Sequence, residues 1–136
     1  MRVAADSSVW VSYLHGYQTP HTLFLDQLIE KYKMTVPDLV LLEVLRGVKS
    51  DDAAEAVALR FASFNIVTIG GRENAVAAAK NYRMLRALGI TVRGSVDVLI
   101  GTWCLKNEVS LLHNDRDFDM MEKHLGLKCV RPPNVQ

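Results

Sequence analysis

At 136 residues, 49% of them hydrophobic and 23% charged, the chain is expected to form one domain, residues 1–136, with a core of its own. A formal net charge of +1 excludes a polycation that coats nucleic acid or an anionic membrane, so any nucleic-acid contact has to come from a local basic patch. Asp6 interrupts the opening segment early and no later stretch approaches ~20 uninterrupted apolar residues, so neither a signal peptide nor a membrane helix is expected and the chain reads as cytoplasmic.

In chain order, Val3-Ala4-Ala5 is a short buried strand, and Asp6-Ser7-Ser8 is a capping signal for a helix that begins with Val9, Val11 and Leu14. A second helix is expected over Pro20 to Lys33, with Leu23, Phe24, Leu28 and Ile29 facing the core, followed by a strand at Met34-Thr35-Val36. From Pro37 the chain is helical, with Asp38 as cap, an apolar face of Leu39, Leu42, Leu45 and Val48, and a polar stripe of Glu43, Arg46 and Ser50. Asp51 and Asp52 cap a helix through Phe64, and Asn65 to Ile69 is a β-branched strand turned by Gly70-Gly71. The long helix from Arg72 to Leu88 turns Val76, Ala79, Tyr82, Leu85 and Leu88 inward and stops at Gly89. Ser95 caps a helix whose Val96, Leu99, Ile100 and Trp103 keep the 3.6-residue period, leaving Gly101 one turn from Asp97 as room for a ligand. Val109 to Leu112 is a strand, His113 to Asp117 a loop and helix start, Met120 to His124 helical, and Leu127 to Val130 a last strand ended by Pro132 and Pro133. Strands that alternate with helices imply βαβ units, and therefore an α/β fold: a three-layer α/β/α sandwich around a central parallel sheet.

In such sheets the functional crevice opens at the carboxyl ends of the strands. Asp6 follows the first strand, Asp97 opens a helix and Asp115 follows a late strand, so the three share that edge, and Glu43 lies one turn inside a helix able to point back at it. Each aspartate alone has a plain explanation as a helix cap, worth up to ~1 kcal/mol. Glu43 has none, because its only local rationale is an i,i+3 pair with Arg46 worth ~0.2–0.5 kcal/mol. Gathered carboxylates repel unless a cation neutralises them, and oxygen-only donors select a hard ion, Mg²⁺ or Mn²⁺, which serves phosphate chemistry. Asp117 is read as a first-turn helix acid and a possible auxiliary ligand, and Asp119 as solvated surface.

Other chemistry has less support. The histidines are dispersed and only His113 falls near the acid edge; no Gly-x-Ser-x-Gly elbow surrounds Ser7, Ser8 or Ser95; and Gly70-Gly71 belongs to no phosphate-binding loop. Cys104 and Cys129 read as reduced core thiols, Met120 and Met121 as core filling, and Trp10, Tyr13 and Tyr17 as packing or a partner groove. Arg46, Lys49, Lys80, Arg83, Arg86 and Arg93 are candidates to contact a nucleic-acid backbone or to form a solvated charged face.

Together, Val3-Ala4-Ala5-Asp6-Ser7-Ser8-Val9-Trp10-Val11, the Glu43 helix, Ser95-Val96-Asp97-Val98-Leu99-Ile100-Gly101 and Leu111 to Phe118 resemble the PIN-domain ribonucleases across essentially the whole chain. Its compact size is similar to the VapC-like toxins of toxin–antitoxin pairs. The resemblance implies a PIN fold, an Mg²⁺- or Mn²⁺-dependent endoribonuclease acting on RNA, a cognate VapB-like antitoxin whose tail covers the acids, and a homodimer. It makes Asp6, Glu43, Asp97 and Asp115 the metal-binding, catalytic quartet, with Asp117 auxiliary and Ser7 and Asn114 orienting ligands. His113 stands where many relatives have Thr. Two rivals remain: a phosphate-receiving signalling domain, which expects an adjacent acid pair after strand one where Ser7 follows Asp6, and a catalytically silent PIN scaffold.

Overall fold

The computed structural model describes residues 1–133. The elements run β1 (Arg2–Ala5), α1 (Ser7–Leu14), α2 (Pro20–Lys31), β2 (Thr35–Pro37), α3 (Asp38–Arg46), α4 (Asp51–Phe61), β3 (Asn65–Val67), α5 (Arg72–Ala87), α6 (Ser95–Lys106), β4 (Val109–Leu112), α7 (Arg116–Leu125) and β5 (Cys129–Val130). All ladders are parallel: β4 lies between β1 and β5, and β2 pairs with β3. β2 lies beside β1, so the two ladders together form the central layer, although no ladder joins them among the described residues. Helices α1 to α4 pack among themselves and α5 to α7 among themselves, which gives the expected three-layer α/β/α arrangement. Among the described residues no helix is long and apolar enough to cross a membrane.

A parallel strand covered on both faces has to be apolar throughout, and Val3, Ala4, Ala5, Leu111 and Leu112 are fully buried for that reason. Local signals set the helix ends. Thr19 and Thr22 form a reciprocal capping box with Pro20 in the first turn of α2, and Gly126, at φ 81°, takes the left-handed conformation that ends α7. At α4 the cap is Ser50, whose hydroxyl accepts the Ala53 N–H; Asp51 and Asp52 are first-turn acids instead. Pro37 precedes α3, which leaves the Asp38 carboxylate to accept N–H groups from Leu39 and, across the loop after β3, from Ile69 at 3.1 Å. That tether ends β3 at Val67, two residues earlier than its β-branched run suggests.

The expected helix faces hold in part: Leu28 and Leu85 are buried, and Phe24, Ile29, Leu39 and Tyr82 pack against the core, while other positions of the same faces turn outward. In α2 the buried residues are Thr22, Leu25 and Leu28, and Leu23 is exposed; in α3 they are Val40 and Val44, and Leu42 is exposed; in α5 they are Asn74, Ala78 and Leu85, with Val76 and Leu88 exposed. Each of these helices carries two apolar stripes, and the 3.6-residue period is blind to which stripe meets the sheet. Trp10 settles as core: its ring lies 4.7 Å from Phe61 and 5.3 Å from Phe64, locking α1 against the end of α4, while Tyr17 is exposed. Cys104 is buried, Cys129 half-buried, and both are free thiols.

Gly101 makes room for the protein itself and not for a ligand. A Cβ at that position would lie 2.5 Å from the Met121 sulfur, so the missing side chain lets α6 pack closely on α7.

Candidate metal centre

β1 and β4 end side by side, and the Asp6 N–H donates to the Leu112 carbonyl at 2.9 Å, fixing the start of α1 at the carboxyl edge of the sheet. Asp6 has the extended backbone of an N-cap, yet its side chain caps nothing. Oδ2 accepts the Ser8 hydroxyl at 3.0 Å, whereas Oδ1 is buried without a partner. The residue is 4% exposed, and burial raises its carboxyl pKa. The Ser8 hydroxyl and the Ser7 peptide oppose that rise in part, and the charges of Glu43 and Asp115 add to it.

Glu43 turns inward from α3 with its side chain only 19% exposed. Oε2 stands 3.9 Å from the solvent-exposed Arg46 guanidinium, too far for a hydrogen bond, and Oε1 is buried with no partner. Asp97 enters from the first turn of α6, which is preceded by Gly94 and not by a Ser95 cap. Its pKa is pushed up to about 7, first by burial and then by the charges of Asp6, Asp115, Glu43 and Asp117.

Asp115 caps α7, and its Oδ1 accepts the Asp117 N–H at 2.8 Å. Capping and the site therefore coexist in one residue. Asp117 is 8% exposed and its Oδ2 accepts the Arg93 N–H at 3.3 Å. Asp97, Asp115 and Asp117 each present an oxygen, all within 4.8 Å of one another. Asp117 thus stands inside the tightest acid cluster, while Asp6 and Glu43 face it through their charge. His113, 7% exposed, accepts the Asp115 N–H on Nδ1 at 3.1 Å, and its ring packs 5.2 Å from Phe118. Burial lowers the His113 pKa, with the charge of Asp119 opposing it, and so disfavours the imidazolium that could not accept this bond. In orienting the acids, then, Ser8 supplies the hydroxyl expected from Ser7, and the backbone N–H groups of Arg93 and Asp117 act where Asn114, which is exposed, was expected.

This constellation suits a hard divalent cation. Two unit charges ~5 Å apart cost ~3 kcal/mol at an effective dielectric of ~20, more than the ~1 kcal/mol a helix cap returns. The unpartnered Asp6 Oδ1 and Glu43 Oε1 are acceptors that lack a donor, and the remaining donors are all carboxylate oxygens, the set that Mg²⁺ or Mn²⁺ favours.

The family model described as PIN domain matches residues 3–123. Ribonuclease VapC11 of Mycobacterium tuberculosis is 23% identical over 130 residues, spanning 94% of this chain and 97% of that protein, and VapC ribonuclease Mb1587 of Mycobacterium bovis matches to the same extent. Among solved structures the chain is similar to VapBC2 from Rickettsia felis bound to a DNA fragment from its promoter, at TM-score 0.76, 13% identity and coverage of 96% and 98% of the two chains. FitAcB from Neisseria gonorrhoeae aligns at TM-score 0.75 and 13% identity over 98% and 99%, and a toxin–antitoxin complex from Klebsiella pneumoniae at 0.70 and 14% over 98% and 99%.

Proposed function

The chain belongs to the PIN domain family, and on that premise we propose that it is a metal-dependent endoribonuclease, the toxin of a toxin–antitoxin pair, held in check by a VapB-like antitoxin. The observation that carries the reading is the pair of buried, unpartnered carboxylate oxygens on Asp6 and Glu43 facing the Asp97–Asp115–Asp117 cluster. The names of the relatives, ribonucleases and toxin–antitoxin complexes, support the same activity and partner. Homodimer formation accompanies it as part of the proposal.

Asp97, Asp115 and Asp117 would hold the ion, with Asp6 and Glu43 completing its surroundings. A bound Mg²⁺ or Mn²⁺ supplies the positive charge that polarises a phosphodiester and acidifies water. The chain does the rest. Ser8 fixes one oxygen of Asp6 so that the other stays aimed inward; the His113 ring and the Asp117 N–H hold the Asp115 loop; the Arg93 peptide holds Asp117. Basic side chains near the same edge, Arg46 and Arg93 among them, bring the RNA backbone to an acidic centre that would otherwise repel it.

Asp6→Asn and Asp97→Asn should fold, as read by circular dichroism, and cleave total cellular RNA in Mg²⁺ at least about a hundredfold more slowly. Ser8→Ala should lose less, within the ~10–100-fold typical of groups that only orient metal ligands. Full Mg²⁺-dependent cleavage by both asparagine variants would overturn the assignment.

A further inference from the structure

Next to the acid cluster lies a cleft of about 420 Å³ between the segment after α5 and the start of α7, formed by Ile90, Thr91, Arg93, Arg116, Asp117 and Met120. Its volume lies within the ~300–1,000 Å³ range of small-ligand sites. Arg93 and Arg116 are exposed, and among the described residues neither guanidinium makes an ion pair or a side-chain hydrogen bond. By contrast, Arg46 and Arg131 face acids. Asp117 belongs to both places: it borders the cleft and is one of the three clustered carboxylates. The Arg93 peptide N–H holds Asp117, so the wall shared by the two sites is built by the same residue whose side chain lines the cleft.

We propose that this cleft is a nucleotide subsite, in which Arg93 and Arg116 grip the backbone phosphate next to the scissile one while Ile90 and Met120 support the attached sugar and base. The proposal rests on the ribonuclease reading and extends it to a named place on the substrate. Charge argues for it. An RNA strand approaching five carboxylates is repelled by them, and two free, forked guanidiniums lining the cleft that Asp117 borders offer bidentate phosphate contacts where the repulsion has to be offset. The half-buried Ile90 and Met120 supply the apolar floor that a bare phosphate would not need. Asp117 is turned to the Arg93 peptide and is nearly buried, so it leaves the guanidiniums available.

The test is fluorescence anisotropy with a labelled single-stranded RNA of mixed sequence in Mg²⁺, using the Asp97→Asn chain to prevent cleavage. Adding Arg93→Gln or Arg116→Gln should weaken binding about tenfold and lower the dependence of log affinity on log salt by about 0.7 for each arginine removed. Arg93→Gln keeps the backbone N–H that donates to Asp117 Oδ2, so loss of the acid's position is not the cause. Lys128→Gln, the same charge change beside β5, should alter neither quantity. Unchanged affinity and salt dependence in both arginine variants, or an equal loss in Lys128→Gln, would overturn the subsite. Cleavage of total RNA by the unmodified chain, measured alongside, separates the two readings: its absence counts against the nuclease, and its presence with unaltered binding in the arginine variants counts against the subsite alone.

Discussion

Without a cation, Asp97 holds its proton up to about pH 7, because burial and four neighbouring acids disfavour its charge. Unfolded, the same carboxyl titrates near ~3.9. The folded-state value is the higher one, so this contribution to stability is complete below the unfolded value and is lost as pH rises through about 7. Asp6, raised mainly by burial, acts with the same sign. His113 acts oppositely: its depressed value makes a contribution present above the unfolded ~6.5 and lost as pH falls through the folded value. The comparison that isolates Asp97 is therefore with Asp97→Asn. In metal-free buffer the variant should have the higher urea midpoint at pH 8, its advantage should fade towards pH 4, and Mg²⁺ should stabilise the unmodified chain more than the variant. A difference in midpoint that is flat from pH 4 to pH 8 would contradict this account. At this scale the nearness of the acids was legible because strand ends and helix starts announce themselves in sequence, and Glu43 stood out because nothing local justified it. Asp117 reads in the sequence as an auxiliary at most, since an acid two residues after a capping acid looks like ordinary first-turn charge. Its exposure of 8% and its place among the clustered oxygens come from the fold. The N–H donors of Arg93 and Asp117 left no trace at all, because a backbone donor has no side-chain signature.

At the scale of elements, the α6–α7 contact shows how a correct observation can carry the wrong meaning. Glycine inside a helix costs ~1 kcal/mol relative to alanine, so its presence at position 101 demands a reason. A ligand and a neighbouring helix are equally good reasons until α7 is placed, and the Met121 sulfur at 2.5 Å from the absent Cβ decides for the helix. Gly101→Ala gains the ~1 kcal/mol of propensity but overfills a site where Met121 is fully buried, at a cost of ~1–3 kcal/mol. The net expectation is a loss of about 1 kcal/mol in urea unfolding. In a Met121→Ala background the clash is gone and the same change should stabilise, so a double-mutant cycle should show a non-zero coupling, the effect of Gly101→Ala changing sign between the two backgrounds. Additive effects would sink the packing explanation. The outward-turned positions of α2, α3 and α5 have a related origin. Leu23, Leu42 and Val76 satisfy the period as well as Leu25, Val44 and Ala78 do, and the choice between stripes is made by the surface each helix meets.

Across the whole molecule, the alternation of strands and helices made the layered parallel fold readable, but not the break in its central layer. β4 is hydrogen-bonded on both sides, by β1 and β5, whereas among the described residues β3 pairs with β2 alone and keeps Asn65 and Ile66 exposed. Amide hydrogen exchange should be slowest in β1 and β4 and faster in β3 by on the order of tenfold or more, since edge residues open without global unfolding. Equal protection of β3 and β4 would mean that the two ladders open as one unit. The pairing of β1 with β4 has a further consequence, one of timing. It brings β1 against β4, with α1 to α6 lying between them in sequence, and the acids follow the same plan, Asp6 after β1 and Asp115 and Asp117 after β4. Long-range pairing of this kind waits for both partners to exist. During synthesis, a growing chain can hold Asp6, Glu43 and even Asp97 yet has no complete acid cluster until the segment after β4 has left the ribosome.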